Sequence, residues 1–184
     1  GRMFDDMIEL AGFAAGDVQL ESEPFELAAV IEEAVAAPRA AAVEKRLAFS
    51  VDIDPRVDAP FAGDRRRFAR AVRALAENAV RFTEAGAVSV FAAPWAEAGL
   101  RVDVVDTGPG VPEDLRTLVF EQFAQADGSP TRAHGGLGRG LALARSAVRA
   151  MGGEIGLSDT PEGGARFWIE VPMLRIARRE IRTA

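Results

Sequence analysis

The sequence predicts an α+β fold, a two-layer sandwich with helices on one face of a mixed, largely antiparallel sheet. Three observations carry that expectation. Apolar residues recur at spacings of three and four over 64–82 and again over 140–151. Five short stretches read as strands, and two pairs of them are joined by loops rich in Pro and Gly.

Along the chain, "MFDDMIELAGF" (3–13) sets Met3, Phe4, Met7, Ile8 and Leu10 at helical spacing, and Gly12 and Gly16 read as its end. So short an apolar-faced helix cannot bury itself alone and suggests the cut end of a longer one. A second helix fits 25–46, with Pro38 expected to break or offset it. "LAFSVDI" (47–53) alternates Leu47, Phe49, Val51 and Ile53, the period of a half-buried strand. Asp64 can cap the helix over 64–82, whose apolar positions are Phe68, Val72, Leu75, Ala79 and Phe82. "AVSVFAA" (87–93) and "LRVDVVD" (100–106) read as strands around the loop "PWAEAG". Helical 140–151 is stopped by Gly152 and Gly153, and "EIGLS" and "ARFWIEV" make a last hairpin around "DTPEGG".

At 184 residues the chain fits one domain with a short appendage. A net charge of −6 argues against a general binder of nucleic acid or anionic membrane. No apolar run approaches the roughly 18 residues of a membrane span, and no signal-peptide pattern opens the sequence. The lack of cysteine removes disulfides, thiolate metal sites and thiol nucleophiles, and a lone His134 argues against structural zinc.

Four clusters could carry chemistry. In "RALAENAVRFTEAG" (73–86), Asn78 and Arg81 project from nearly one helix face. A carboxamide oxygen can ligate Mg²⁺ and a guanidinium can grip a phosphate, although the pair also fits an exposed polar stripe. In "DVVDTGPGVP" (103–112), Asp106 ends a strand, and Gly108 and Gly110 let backbone approach a ligand. Asp106 could accept a hydrogen bond from an amino group such as adenine N6, or close an ordinary Asx turn. Gly135, Gly136, Gly138 and Gly140 lead into "LALARSAV", whose apolar face begins with Leu141. Amides at such a helix start can receive an anion, and a flexible hinge is the other reading. The run matches neither GxGxxG behind a strand nor a P-loop. Finally, "FEQFAQADGSPTRAH" (120–134) joins the second and third clusters. It opens with the i,i+3 pair Phe120 and Phe123, suited to packing, and continues into a lid-like stretch expected to be mobile.

In this order and spacing the clusters resemble the ATP-binding catalytic domain of bacterial sensor histidine kinases, in the superfamily shared by gyrase, Hsp90 and MutL. "ENAVRFTEAG" is similar to the N box, "DTGPGVP" to the G1 box, "FEQFAQAD" to the F box and "GGLGRGLAL" to the G2 box. "GDRRRFARAV" and "MGGEIGLSDTPEGGARFWIEVP" also match, which favours the kinase branch, and "QADGSPTRAHGG" resembles the lid of hybrid kinases.

The resemblance implies the two-layer sandwich of the histidine-kinase ATPases with a mobile ATP lid. It divides the chain into a remnant of dimerisation helix and linker (1–20), an ATP-binding domain (21–173) and a basic tail (174–184). It implies ATP and Mg²⁺ as ligands, with Asp106 on adenine, Gly108, Gly110 and Val111 along the nucleotide wall, and Asn78 on Mg²⁺. Arg81, in the place of a usual lysine, and Phe82 would border the nucleotide with Phe123 and Leu141. Gly135, Gly136, Gly138 and Gly140 would cap the phosphates, with Arg132 on the γ-phosphate. Implied partners are a dimerisation domain with the phosphoacceptor histidine, N-terminal to everything present here, and a response regulator. The parent is expected to be a homodimer, membrane-anchored or not, with this domain in the cytoplasm. On this reading His134 is an ordinary lid residue.

The pattern departs at Ala74, where the family has a second Asn or a Glu, at Leu137 and Arg139 in the G2 box, and at Ala165 for a Ser or Thr. The loss at Ala74 argues against an independent ATPase. These changes motivate a runner-up, a degenerate pseudokinase module that binds a response regulator or partner kinase. A third reading, an anti-sigma-type kinase phosphorylating serine, is disfavoured by the helix at 3–13.

Overall fold

A computed structural model describes residues 20–121 and 140–177. Its elements are β1 (Glu23–Glu26), α1 (Leu27–Glu44), β2 (Ala48–Ile53), β3 (Pro60–Gly63), α2 (Arg65–Phe82), β4 (Ala87–Trp95) and β5 (Gly99–Asp106). Two 3₁₀ turns, Glu113–Leu115 and Leu118–Phe120, precede α3 (Gly140–Ala150), β6 (Glu154–Asp159), β7 (Ala165–Pro172) and β8 (Leu174–Arg175). The main sheet has the order β2-β4-β5-β7-β6, with β2 and β4 parallel and every other pair antiparallel. All three helices lie on one face of it, giving the α+β sandwich that the sequence predicts.

Alternation decides which residues face the helices. On β5 the buried set is Leu100, Val102, Val104 and Asp106, and on β7 it is Ala165, Phe167, Ile169 and Val171. Opposite them α2 presents Phe68, Val72, Leu75 and Ala79, all fully buried. Phe68, Val72 and Leu75 each contribute roughly 1.5–3 kcal/mol by leaving water, and the Ala79 methyl about 0.8 kcal/mol. Asp64 caps α2 as the sequence predicts: its carboxylate accepts the Arg67 N–H at 2.9 Å and pairs with the Arg67 guanidinium. Gly152, at φ +76°, ends α3; its N–H reaches Arg149 O and that of Gly153 reaches Val148 O, a Schellman closure.

Several expectations need correction. Pro38 does not break the helix: α1 runs through it, and the ring is buried with Val35 and Ala42, packing that offsets the missing amide. The helix starts at Leu27 rather than 25 because Glu23–Glu26 pairs with β3. The first hairpin loop is shorter than "PWAEAG", since Pro94 and Trp95 still pair with Leu100 and Gly99. Phe82, expected on the apolar face, is 54% exposed because α2 ends there, beyond the sheet.

The sequence predicts no second sheet. β1, β3 and β8 form one, and it includes Leu174 and Arg175 at the start of segment 174–184, paired with Ala62 and Phe61. The helix expected at 3–13 lies outside the described residues.

Candidate functional site

Three elements converge where β5 ends. The alternation that buries Val104 carries Asp106 to the same face, so its carboxylate lies under the helices, 4% exposed. Oδ1 accepts the Gly108 N–H at 2.9 Å and the Ala165 N–H at 3.3 Å. The first bond is the Asx turn open at the sequence level; the second crosses to β7. Burial pushes the Asp106 carboxyl above its ordinary value, and the two backbone donors partly oppose it. No hydrogen bond to Oδ2 occurs among the described residues.

The turn after Asp106 depends on missing side chains. A Cβ on Gly108 would stand 2.9 Å from Asp106 Oδ1 and 3.1 Å from the Phe82 carbonyl oxygen. Gly110 has φ +73°, and a Cβ there would stand 2.7 Å from Gly163 O. Val111, half-buried, packs against the core; its carbonyl accepts Arg116 Nε, and Arg116 also grips both oxygens of Asp159. This loop is therefore fastened to β6.

On α2, Asn78 and Arg81 are half-buried, and the Arg81 guanidinium lies 5.3 Å from the centre of the Phe82 ring. One turn before Asn78, Ala74 faces the start of α3: a Cβ on Gly140 would be 3.9 Å from the Ala74 Cβ. Leu141 beside it is buried. Thr83, fully buried at the end of α2, donates its hydroxyl to Ala79 O at 2.8 Å. Phe120 meets Phe167 edge-on at 6.1 Å, in line with a packing role, and Arg145 on α3 bonds Glu121 at 2.7 Å.

The structure thus sets the Asp106–Gly108 turn against the end of α2 and Gly110 against Gly163 of the last hairpin, and places Gly140 beside Ala74. Phe123, Arg132, His134, Gly135, Gly136 and Gly138 lie outside the described residues. Sequence reasoning passed over Thr83, Gly164 and Lys45, which frame the site. The Gly163-Gly164 pair in the last hairpin was a legible signal; for Thr83 and Lys45 nothing local distinguishes them from surface residues. Among the described residues no group of three His, Cys, Asp or Glu side chains could hold a metal, and no helix is long and apolar enough to cross a membrane.

Comparison with known proteins gives a consistent set. The family model described as "Histidine kinase-, DNA gyrase B-, and HSP90-like ATPase" matches residues 63–175. The signal transduction histidine-protein kinase BarA of Escherichia coli K12 is 32% identical over 173 residues, covering 92% of this chain and 19% of BarA. The sensory/regulatory protein RpfC of Xanthomonas campestris pv. campestris is 32% identical over 176 residues, 93% of this chain and 24% of RpfC. The chain therefore spans a quarter or less of these relatives. Among solved structures, full-length ShkA in complex with AMPPNP superposes with a TM-score of 0.83 at 31% identity, covering 94% of this chain and 35% of ShkA. The catalytic domain of histidine kinase ThkA gives 0.71 at 25% identity, covering 83% of this chain and 95% of that domain.

Proposed function

The chain belongs to the histidine kinase-, DNA gyrase B- and HSP90-like ATPase family, and on that premise we propose that it binds Mg²⁺-ATP as the catalytic domain of a sensor histidine kinase. The observation that carries this reading is the state of Asp106. Its carboxylate is buried, both backbone donors fall on Oδ1, and Oδ2 is left to accept from a ligand amino group such as adenine N6.

The other residues fall into place around it. Gly108, Gly110 and Val111 line the base, and Phe82 and Arg81 border the nucleotide from the end of α2. Gly140 and Leu141 open α3, whose amides receive phosphate; through the sequence resemblance Gly135, Gly136 and Gly138 join that role, Arg132 meets the γ-phosphate and Phe123 borders the nucleotide. Asn78 supplies a neutral oxygen to Mg²⁺, which suits a hard cation that takes its remaining ligands from phosphate and water. Held there by Asn78, the ion would supply positive charge to offset that of the phosphates. The chain's own residues orient the γ-phosphoryl group for transfer to a histidine nitrogen of the dimerisation domain, with ADP as the leaving group.

Ala74 presents only a methyl group toward Gly140. No side chain there can activate water, which fits a phosphotransferase that does not hydrolyse ATP by itself. The domain begins near residue 21 and runs past 173 to include β8, Leu174 and Arg175, which pair with β3. Its partners are the phosphoacceptor domain and a response regulator.

Calorimetric titration with ATP and AMPPNP, with and without Mg²⁺, tests the proposal. Micromolar, Mg²⁺-dependent binding is expected. Absence of binding at millimolar nucleotide would overturn it in favour of a pseudokinase acting through protein partners.

A further inference from the structure

Lysine occurs once in this sequence, at Lys45. It follows α1, yet its ammonium lies against the far end of α2. Nζ donates to the carbonyl oxygens of Val80 at 2.7 Å, Arg81 at 2.9 Å and Thr83 at 3.2 Å. A helix leaves its last carbonyls without intrahelical donors, and they carry the negative end of its dipole. On α2 the Thr83 amide and hydroxyl occupy Ala79 O, and Lys45 takes the next two carbonyls and that of the cap residue.

That same helix end lies against the Asp106 turn. A Cβ on Gly108 would stand 3.1 Å from Phe82 O and 3.4 Å from Thr83 Oγ1, and the Gly108 amide is bonded to Asp106. The peptides that Lys45 grips carry Arg81 and adjoin Phe82. One cation just past the end of α1 thus bonds the end of α2, and the turn after Asp106 lies against that same end.

We propose that Lys45 is a positioning residue of the nucleotide site: by gathering the carbonyls of Val80, Arg81 and Thr83 it sets where α2 ends, and so places Arg81 and the Gly108–Asp106 turn for ATP. This rests on the ATP-binding reading above. Lys45 touches no reacting atom. Its side chain is exposed and contributes nothing to the apolar core, so its loss acts locally.

The test compares Lys45→Met, Lys45→Arg and Ile31→Val, the last a core truncation on α1 that lowers stability away from the site. ATP affinity is measured by calorimetry well below each melting temperature, and amide hydrogen exchange is followed at Thr83 and Gly108. Lys45→Met is expected to weaken ATP about tenfold, the scale of a small misplacement of binding groups. It should also speed exchange at both amides. Lys45→Arg keeps charge and donors and should recover most of the affinity, while Ile31→Val binds as wild type does. Should Lys45→Met not fold, Lys45→Gln replaces it. Equal affinity in Lys45→Met and Ile31→Val, or no recovery with arginine, overturns the proposal. If wild type itself binds no ATP, the functional reading falls, and exchange alone decides: an unchanged Gly108 amide then rejects the coupling.

Discussion

Gly164 lies against the main chain of Asp106: a Cβ at Gly164 would stand 1.9 Å from the Asp106 carbonyl oxygen. The last hairpin and the end of β5 therefore meet backbone to backbone. The contact is reinforced next door, where the Ala165 amide donates to Asp106 Oδ1.

Gly164→Ala has no cheap escape, because the atom in its way belongs to backbone and not to a flexible side chain. The variant is expected to lose about 3 kcal/mol or more of stability, in the range of the severest single substitutions. Denaturant unfolding would measure it; a loss below about 0.5 kcal/mol would show that the hairpin can swing away from Asp106.

Asp106→Asn keeps an oxygen for the Gly108 and Ala165 amides but turns an NH₂ toward the ligand's amino group. A fold as stable as wild type at neutral pH is expected, with ATP affinity lowered about 100-fold or more, the cost of mispairing a buried polar group. Calorimetry on the folded variant decides, and unchanged affinity would remove Asp106 from the site.

The pH dependence follows from the same group. Burial raises the Asp106 pKa in the folded chain, so the native state binds its proton at a pH where the unfolded chain has released it. Its contribution to stability therefore grows as pH falls from above the folded pKa toward the ordinary carboxylate value, and is lost as pH rises through that window. ATP affinity should run the other way, weakening as the carboxyl gains the proton that opposes an amino donor. Titrations of affinity at descending pH would show this as a loss that begins above the ordinary carboxylate range.

Asn78→Ala removes the carboxamide without touching the adenine end. Wild type and variant are expected to bind ATP alike in EDTA, whereas Mg²⁺ should tighten only the wild type, by roughly tenfold or about 1.4 kcal/mol. An equal response to Mg²⁺ would take Asn78 out of the ion's shell.

Asp64→Ala deletes the cap of α2 and removes one carboxylate partner of the Arg67 guanidinium. The expected loss is about 2–3 kcal/mol, a cap together with a charged hydrogen bond. Thermal unfolding should register it, with nucleotide affinity unchanged in the folded fraction because Asp64 lies at the opposite end of α2 from Arg81.

By itself the sequence determined what is local and periodic. The 3.6-residue repeat of Phe68, Val72, Leu75 and Ala79 specified α2 and its buried face, and Asp64 its start. The two-residue repeat through Leu100, Val102 and Val104 specified β5, and it already carried Asp106 to the helix side. The motif order supplied the family.

Tertiary structure decided what depends on distant partners. Three strands of two to four residues, β1, β3 and β8, are too short to show a period and exist only because they pair. Pro38 stays helical because the core around it repays the broken ladder. Lys45 caps a helix that begins 20 residues later in the chain, and Gly164 is obligatory only because Asp106 lies across from it. Periodicity records which face a residue turns to the core; it holds no information about which separate segment is waiting there.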